Sequence, residues 1–142
     1  MSNLQAFLAP NALKVENQKI AVSPRFIDGK KKPIEWEVTC ITSIENDEIR
    51  DACTKRVQTP GKRGQFTTET DFSLYLSRLG ARCTVYPDLN DAELQASYNV
   101  MGAEKLLRTM LTPGEYTNYL KMIQEINGFD IPFEEDVEAA KN

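Results

Sequence analysis

Nucleophiles, carboxylates and thiols all occur in this 142-residue chain, but the side chain that most often activates them does not: the sequence contains no histidine. Ser-His and Cys-His catalysis and imidazole-ligated zinc are excluded on that ground. Ser43, Ser73 and Ser97 have no G-x-S-x-G surroundings. Cys40, Cys53 and Cys83 are separated by 13 and 30 residues, which matches no C-x-x-C metal or redox pattern. Three is an odd number of thiols, and Met1-Ser2-Asn3-Leu4 does not open a secretory signal. A reducing cytosol is the expected setting, with Cys53 and Cys83 buried and unbridged. Asp88 and Asp91 suggest metal ligation or acid-base work. However, Asp91 and Glu93 fall in the first turn of an expected helix, where carboxylates stabilise the N-terminus, and the twelve-residue calcium pattern is absent. Gly61-Lys62-Arg63-Gly64 is the nearest approach to a phosphate cradle. It lacks the G-x-x-x-x-G-K-[ST] spacing and reads as a solvated connector, as does the Lys30-Lys31-Lys32 turn. No catalytic, cofactor-binding or metal-ligating residue is expected, and an enzyme is not the reading.

The remaining candidates bind rather than react. Tyr98, Met101, Met110, Tyr116, Tyr119 and Met122 gather within 25 residues at helical spacing. Such stripes usually enter the core, but Leu94, Leu106, Leu107, Leu111, Leu120 and Ile123 already supply one. Tyr98, Tyr116, Tyr119 and Met122 are therefore expected to stay partly exposed and form a groove for an amphipathic helix. The competing reading packs them inside or into a self-association interface. In the free protein the groove could be filled by Phe129, Ile131 and Phe133 of the acidic tail.

These residues need a scaffold. With 41% hydrophobic and 27% charged residues the chain has the makeup of one soluble domain, and no apolar run is long enough to cross a membrane. Net charge is −4, and residues 130–142 alone carry five acids against one base. The rest is near neutral, which argues against nucleic acid as the main partner. Ser2-x-x-Gln5 caps a short helix with Leu4, Phe7 and Leu8 on one face, which persists only by docking on something. Residues 19–27 and 34–41 read as a β-hairpin. The alternation places Ile34, Trp36, Val38 and Cys40 inward, with Trp36 expected against Phe72 or Leu76. Thr42-x-x-Glu45 opens a helix to about Arg56, followed by an exposed loop at 58–65. Thr68 opens a second helix with Phe72, Tyr75, Leu76, Leu79 and Cys83 inward. Asn90-x-x-Glu93, residues 103–111 and Thr112-Pro113-Gly114-Glu115 mark three more, the last ending at Asn127-Gly128. The expected architecture is α+β: one mainly helical domain over residues 1–128, with an N-terminal β-hairpin packed on four or five helices, and an acidic tail over 129–142.

Tyr86-Pro87-Asp88-Leu89-Asn90-Asp91-Ala92-Glu93-Leu94-Gln95, then Ser97-Tyr98 and Met101-Gly102-Ala103, form a distinctive block. Together with Met110-Leu111-Thr112-Pro113-Gly114-Glu115-Tyr116 and Ile34-Glu35-Trp36-Glu37 before Ile41-Thr42-Ser43, it resembles the XkdN-like family of phage tail assembly chaperones. The resemblance runs from about Phe7 to Asp130. It implies a non-enzymatic protein of the bacterial host cytoplasm, without cofactor. Such a protein holds the long helical tape measure protein soluble until tail tube subunits polymerise around it, and other tail proteins are possible partners. The alternatives are a structural tail component, or a nucleic-acid-associated phage protein using Lys30–Lys32 and Lys55–Arg63.

Overall fold

Alternation along residues 34–41 does bury one face: Trp36 and Val38 are inaccessible, while Glu35 is exposed. The computed structural model describes residues 3–129. In it, β1 (Gln18–Ile20) pairs antiparallel with β2 (Trp36–Val38), Gln18 opposite Val38 and Ile20 opposite Trp36. The expected hairpin is present, but its strands are short and residues 21–35 make an excursion in place of a tight turn. The Asp28 carboxylate shapes the tip by accepting from the Lys30 and Lys32 amides at 2.7 and 3.0 Å. A third strand, β5 (Thr84–Tyr86), was not anticipated. It joins the free edge of β2, giving the order β1-β2-β5.

The Thr42–Glu45 capping box forms as expected and starts α2 (Ser43–Ala52). The segment after it departs from expectation. The chain leaves the helix at Cys53, not Arg56, and runs as β3 (Thr54–Gln58), which pairs residue for residue with β4 (Phe66–Thr70). Thr68 therefore sits mid-strand. The next helix, α3 (Phe72–Cys83), is opened by Asp71, whose carboxylate accepts from the Leu74 amide at 3.1 Å. The physical reason is the β-branched content of Phe66-Thr67-Thr68-Glu69-Thr70, combined with glycines at 61 and 64 whose φ values of +76° and +80° let the chain reverse. The Asp71 amide donates to the Cys53 carbonyl at 2.9 Å and closes the hairpin base.

Three helices complete the fold: α4 (Ala92–Ser97), α5 (Ala103–Met110) and α6 (Pro113–Ile126). Asp91, rather than Asn90, caps α4, accepting from the Leu94 amide at 2.8 Å. Thr112 and Glu115 make the capping box of α6, with Pro113 in its first turn. The core joins Trp36 and Val38 to Leu79, Cys83, Leu89, Leu106, Leu107, Tyr119 and Ile123, each at most 2% exposed. Gly80 lets α3 lie close to α5 and α6, since a Cβ there would stand 2.7 Å from Leu120 Cδ2 and 3.3 Å from Leu107 Cδ2. Asn127 pins the end of α6 beside the sheet, accepting from the Ile41 amide at 2.9 Å and donating to Cys83 Sγ at 3.4 Å. Short α1 (Asn3–Phe7) precedes the sheet and buries nothing. The expected acidic tail, including Ile131 and Phe133, lies outside the described residues beyond Phe129.

Trp36 is buried, and the aromatic ring expected against it, Phe72, is not its ring partner. Its ring meets Tyr119 of α6 edge-on at 5.2 Å and Phe26 at 6.1 Å, while Phe72 is 57% exposed and packs against Tyr75. Trp36→Ala should cost about 3–5 kcal/mol in denaturant unfolding, and Phe72→Ala under about 1 kcal/mol. Equal costs would contradict the packing described.

Cys53 and Cys83 are buried and unbridged, as the sequence suggested, and Cys40 is half-buried with Sγ donating to the Ile126 carbonyl at 2.9 Å. Burial pushes the Cys83 thiol up, with a partial offset from the Asn127 amide. In native protein at neutral pH a thiol reagent should label Cys40 ahead of Cys53 and Cys83, read by mass spectrometry; rapid labelling of all three would refute this.

Candidate partner-docking site

On one side the inward face of β2 meets Tyr119 of α6 through Trp36. On the other, Trp36 and Ile34 meet Phe26 from the 21–35 excursion, Tyr86 and Pro87 at the end of β5, Leu94 and Tyr98 of the α4 region, and Met110 of α5. They enclose an open, almost wholly apolar cavity of about 180 Å³. Trp36 and Met110 are buried at its base, whereas Tyr86 is 55% exposed at its rim.

Polar contacts behind the walls hold this shape. Arg25 donates to the Met110 carbonyl at 2.5 Å and to Glu115 at 2.8 Å, anchoring the excursion, and Phe26 with it, on the α5–α6 junction. The same guanidinium lies 5.0 Å from the centre of the Phe26 ring. Glu115 also accepts from Thr112 in its capping box, so one carboxylate serves both the helix start and the cavity wall. Arg25 above all, then Ser23 and the Thr112 backbone, lower the Glu115 carboxyl to about 2. On the far side Gln95 donates to the Leu89 carbonyl at 2.8 Å and accepts from the Gly102 amide at 3.1 Å, tying the two ends of α4's surroundings together.

The candidate side chains separate. Tyr98 lines the cavity and is half-buried. Tyr116 and Met122 are half-buried on α6 but do not line it. Tyr119 corrects the expectation of an exposed groove: it is fully buried. Thr84 Oγ1 gives its one proton to the Gly80 carbonyl at 2.7 Å, so the Tyr119 hydroxyl donates to that oxygen at 2.6 Å. Burial pushes the Tyr119 phenol up, so it remains a donor at any ordinary pH. Sequence reasoning missed Phe26, Tyr86 and Pro87 as wall residues. Tyr86-Pro87 entered only as the start of the block that carries the family resemblance, because a wall built by chain crossing has no local periodicity.

Asp88 and Asp91 serve structural roles, accepting from the backbone amides of Asn90 and Leu94 at 3.0 and 2.8 Å. Among the described residues no three His, Cys, Asp or Glu side chains cluster in a way that could hold a metal, and no helix is long and apolar enough to cross a membrane. The basic loop tops the β3–β4 hairpin, where Arg56 lies 4.5 Å from the centre of the Phe66 ring. Among the described residues lining the cavity, the ionisable groups are two tyrosine phenols, and the contact they offer is mainly apolar.

The family model for the phage XkdN-like tail assembly chaperone protein matches residues 4–141. Two proteins of Bacillus subtilis (strain 168) are each 30% identical over 141 residues: the uncharacterized protein YqbN and the phage-like element PBSX protein XkdN. The matches span 99% of this chain and 93% and 94% of those proteins. A crystal structure of the protein YqbN superposes with a TM-score of 0.76 at 26% identity, over 92% of this chain and 99% of that one.

A carboxyl lowered in the folded state contributes stability above its unfolded pKa and loses it as pH falls through the folded value. The Glu115 carboxyl is lowered from the ordinary glutamate value of 4.5 to about 2. Between those pH values wild type should lose stability that Glu115→Gln does not, measured as the difference in thermal midpoint across acid pH. Parallel curves would remove Glu115 from the account.

Proposed function

This chain belongs to the phage XkdN-like tail assembly chaperone family, and on that premise we propose that it binds the tape measure protein and keeps it soluble during tail morphogenesis, in the cytoplasm of the bacterial host. The observation that carries the reading is the apolar cavity between the sheet and α4–α5, left open on a chain whose other large core side chains are packed. A tape measure protein is a long helix with an apolar stripe that aggregates when unaccompanied. Covering the stripe takes no bond chemistry. It takes a concave apolar surface that receives an anchor side chain from one face of the helix, in the manner of helix-in-groove recognition.

The contact residues in this reading are Tyr98, Phe26, Ile34, Tyr86 and Leu94. Tyr98 alone remains from the original four: Tyr119 is inside the core, and Tyr116 and Met122 lie outside the cavity. Tyrosines at a rim suit the role, since each presents a broad apolar ring with a polar tip that can stay wet. No step of the proposed function requires a cofactor or a catalytic side chain.

Co-expression with the tape measure protein of the same phage tests the reading. Wild type should keep that protein in the soluble fraction and co-purify with it. Tyr86→Asp, at an exposed position that leaves the fold intact, should weaken capture at least about tenfold, because a carboxylate at the rim must be desolvated as the helix seats. Capture should change little with salt, whereas phosphate contacts through Lys55, Arg56, Lys62 and Arg63 would weaken steeply. Undiminished capture by a folded Tyr86→Asp variant would reject the site, and steep salt sensitivity would favour the nucleic-acid reading.

A further inference from the structure

The chain carries an apolar plug as well as an apolar socket. Residues 3–17 run ahead of β1 with no side chain buried. Leu4, Phe7 and Leu8 are 70%, 79% and 48% exposed, and Leu13 and Val15 are 97% and 71%. The arm is nevertheless a formed element: α1 continues into bonds from the Leu8 amide to the Gln5 carbonyl at 3.2 Å and from Asn11 Nδ2 to the same carbonyl at 2.9 Å. A helix of five residues does not hold in water on its own. Its apolar face, with Leu4, Phe7 and Leu8 at i, i+3 and i+4, calls for a covering surface.

We propose that Phe7 of one copy seats in the apolar cavity of a second copy, with Leu4 and Leu8 closing over the rim, so that free protein self-associates and caps its own docking site. Size fits. An apolar cavity of roughly 150 Å³ accepts a benzene ring, and this one is about 180 Å³. Direction fits a second copy better than the same one. The arm leaves β1 at Gln18, opposite Val38, while the cavity lies toward Ile34, beyond the other end of β2. The arm thus departs away from its own socket. The cap is regulatory only if the cavity is also where the tape measure helix docks, as proposed above; the self-association does not depend on that reading.

Sedimentation velocity across micromolar concentrations tests it. The full chain should sediment as a dimer or larger multiple, and Phe7→Asp, which alters a largely exposed side chain, should associate about 10- to 100-fold more weakly. Mixing Phe7→Asp, which keeps its socket, with Leu94→Trp, which fills the socket but keeps the arm, should restore a complex that neither forms alone. A synthetic peptide spanning residues 3–16, added to Phe7→Asp, should shift the emission of Trp36, the only tryptophan. A full-length chain that stays monomeric, or unchanged association of Phe7→Asp, overturns the proposal. A monomer whose Trp36 emission shifts on Phe7→Asp substitution overturns it in favour of the arm folding onto its own chain. If Phe7→Asp abolishes association while Tyr86→Asp leaves tape measure capture intact, the arm contact stands and the assigned docking site fails. If Phe7→Asp tightens capture, the cap and the docking site are one.

Discussion

Trp36 meets Tyr119 edge-on with ring centroids 5.2 Å apart, and the Tyr119 hydroxyl passes the contact on to Thr84 at 2.6 Å. Three segments far apart in sequence, β2, α6 and β5, are thereby held at one point. The ring-on-ring packing supplies apolar burial, and the hydroxyl bond satisfies a polar group that would otherwise be stranded in the core. Thr84 in turn donates to the Gly80 carbonyl near the end of α3, so α3 is registered against the same centre. Gly80 belongs to this arrangement because any side chain there would push α5 and α6 away from α3.

Much of the rest follows from which side of Trp36 is used. Tyr119 closes one edge of the indole, and the other faces Phe26 and the cavity. The wall carrying Phe26 has no regular structure of its own. It stays in place because Arg25 reaches the Met110 carbonyl and the Glu115 carboxylate at the α5–α6 junction. The cavity proposed as the docking site is thus built between elements rather than on one, a common location for apolar binding pockets. The β3–β4 hairpin, by contrast, is largely exposed and tied to the body at its base through Cys53, Thr54, Thr70 and Asp71.

Burial makes the Cys83 thiol less acidic, the Glu45 and Glu115 carboxylates are occupied in capping boxes, and the basic loop stands at the end of an exposed hairpin. The described residues also carry an apolar cavity and an exposed apolar arm. Both suit the proposed role within the phage XkdN-like tail assembly chaperone family.

Capping boxes at Thr42–Glu45 and Thr112–Glu115, the stripe from Tyr75 to Cys83 (though not its expected first member, the exposed Phe72) and the alternation around Trp36 were legible in the sequence. Each is a local signal: a side chain satisfying a backbone amide three residues away, or a period set by one helix or strand. The family resemblance was legible too, because it rests on the order and spacing of short blocks. The sequence did not determine the fate of Thr68, which carries helix-start chemistry yet pairs with Arg56 across a hairpin; cross-strand pairing depends on a partner ten or more residues away and outweighs local preference. Nor did it show that Tyr119 is inside and Tyr98 at a surface. Both are tyrosines on helical stripes, and only the closing of α6 over Trp36 distinguishes them. The cavity is the clearest tertiary product of all, since its walls come from five separated segments and no stretch of sequence contains it.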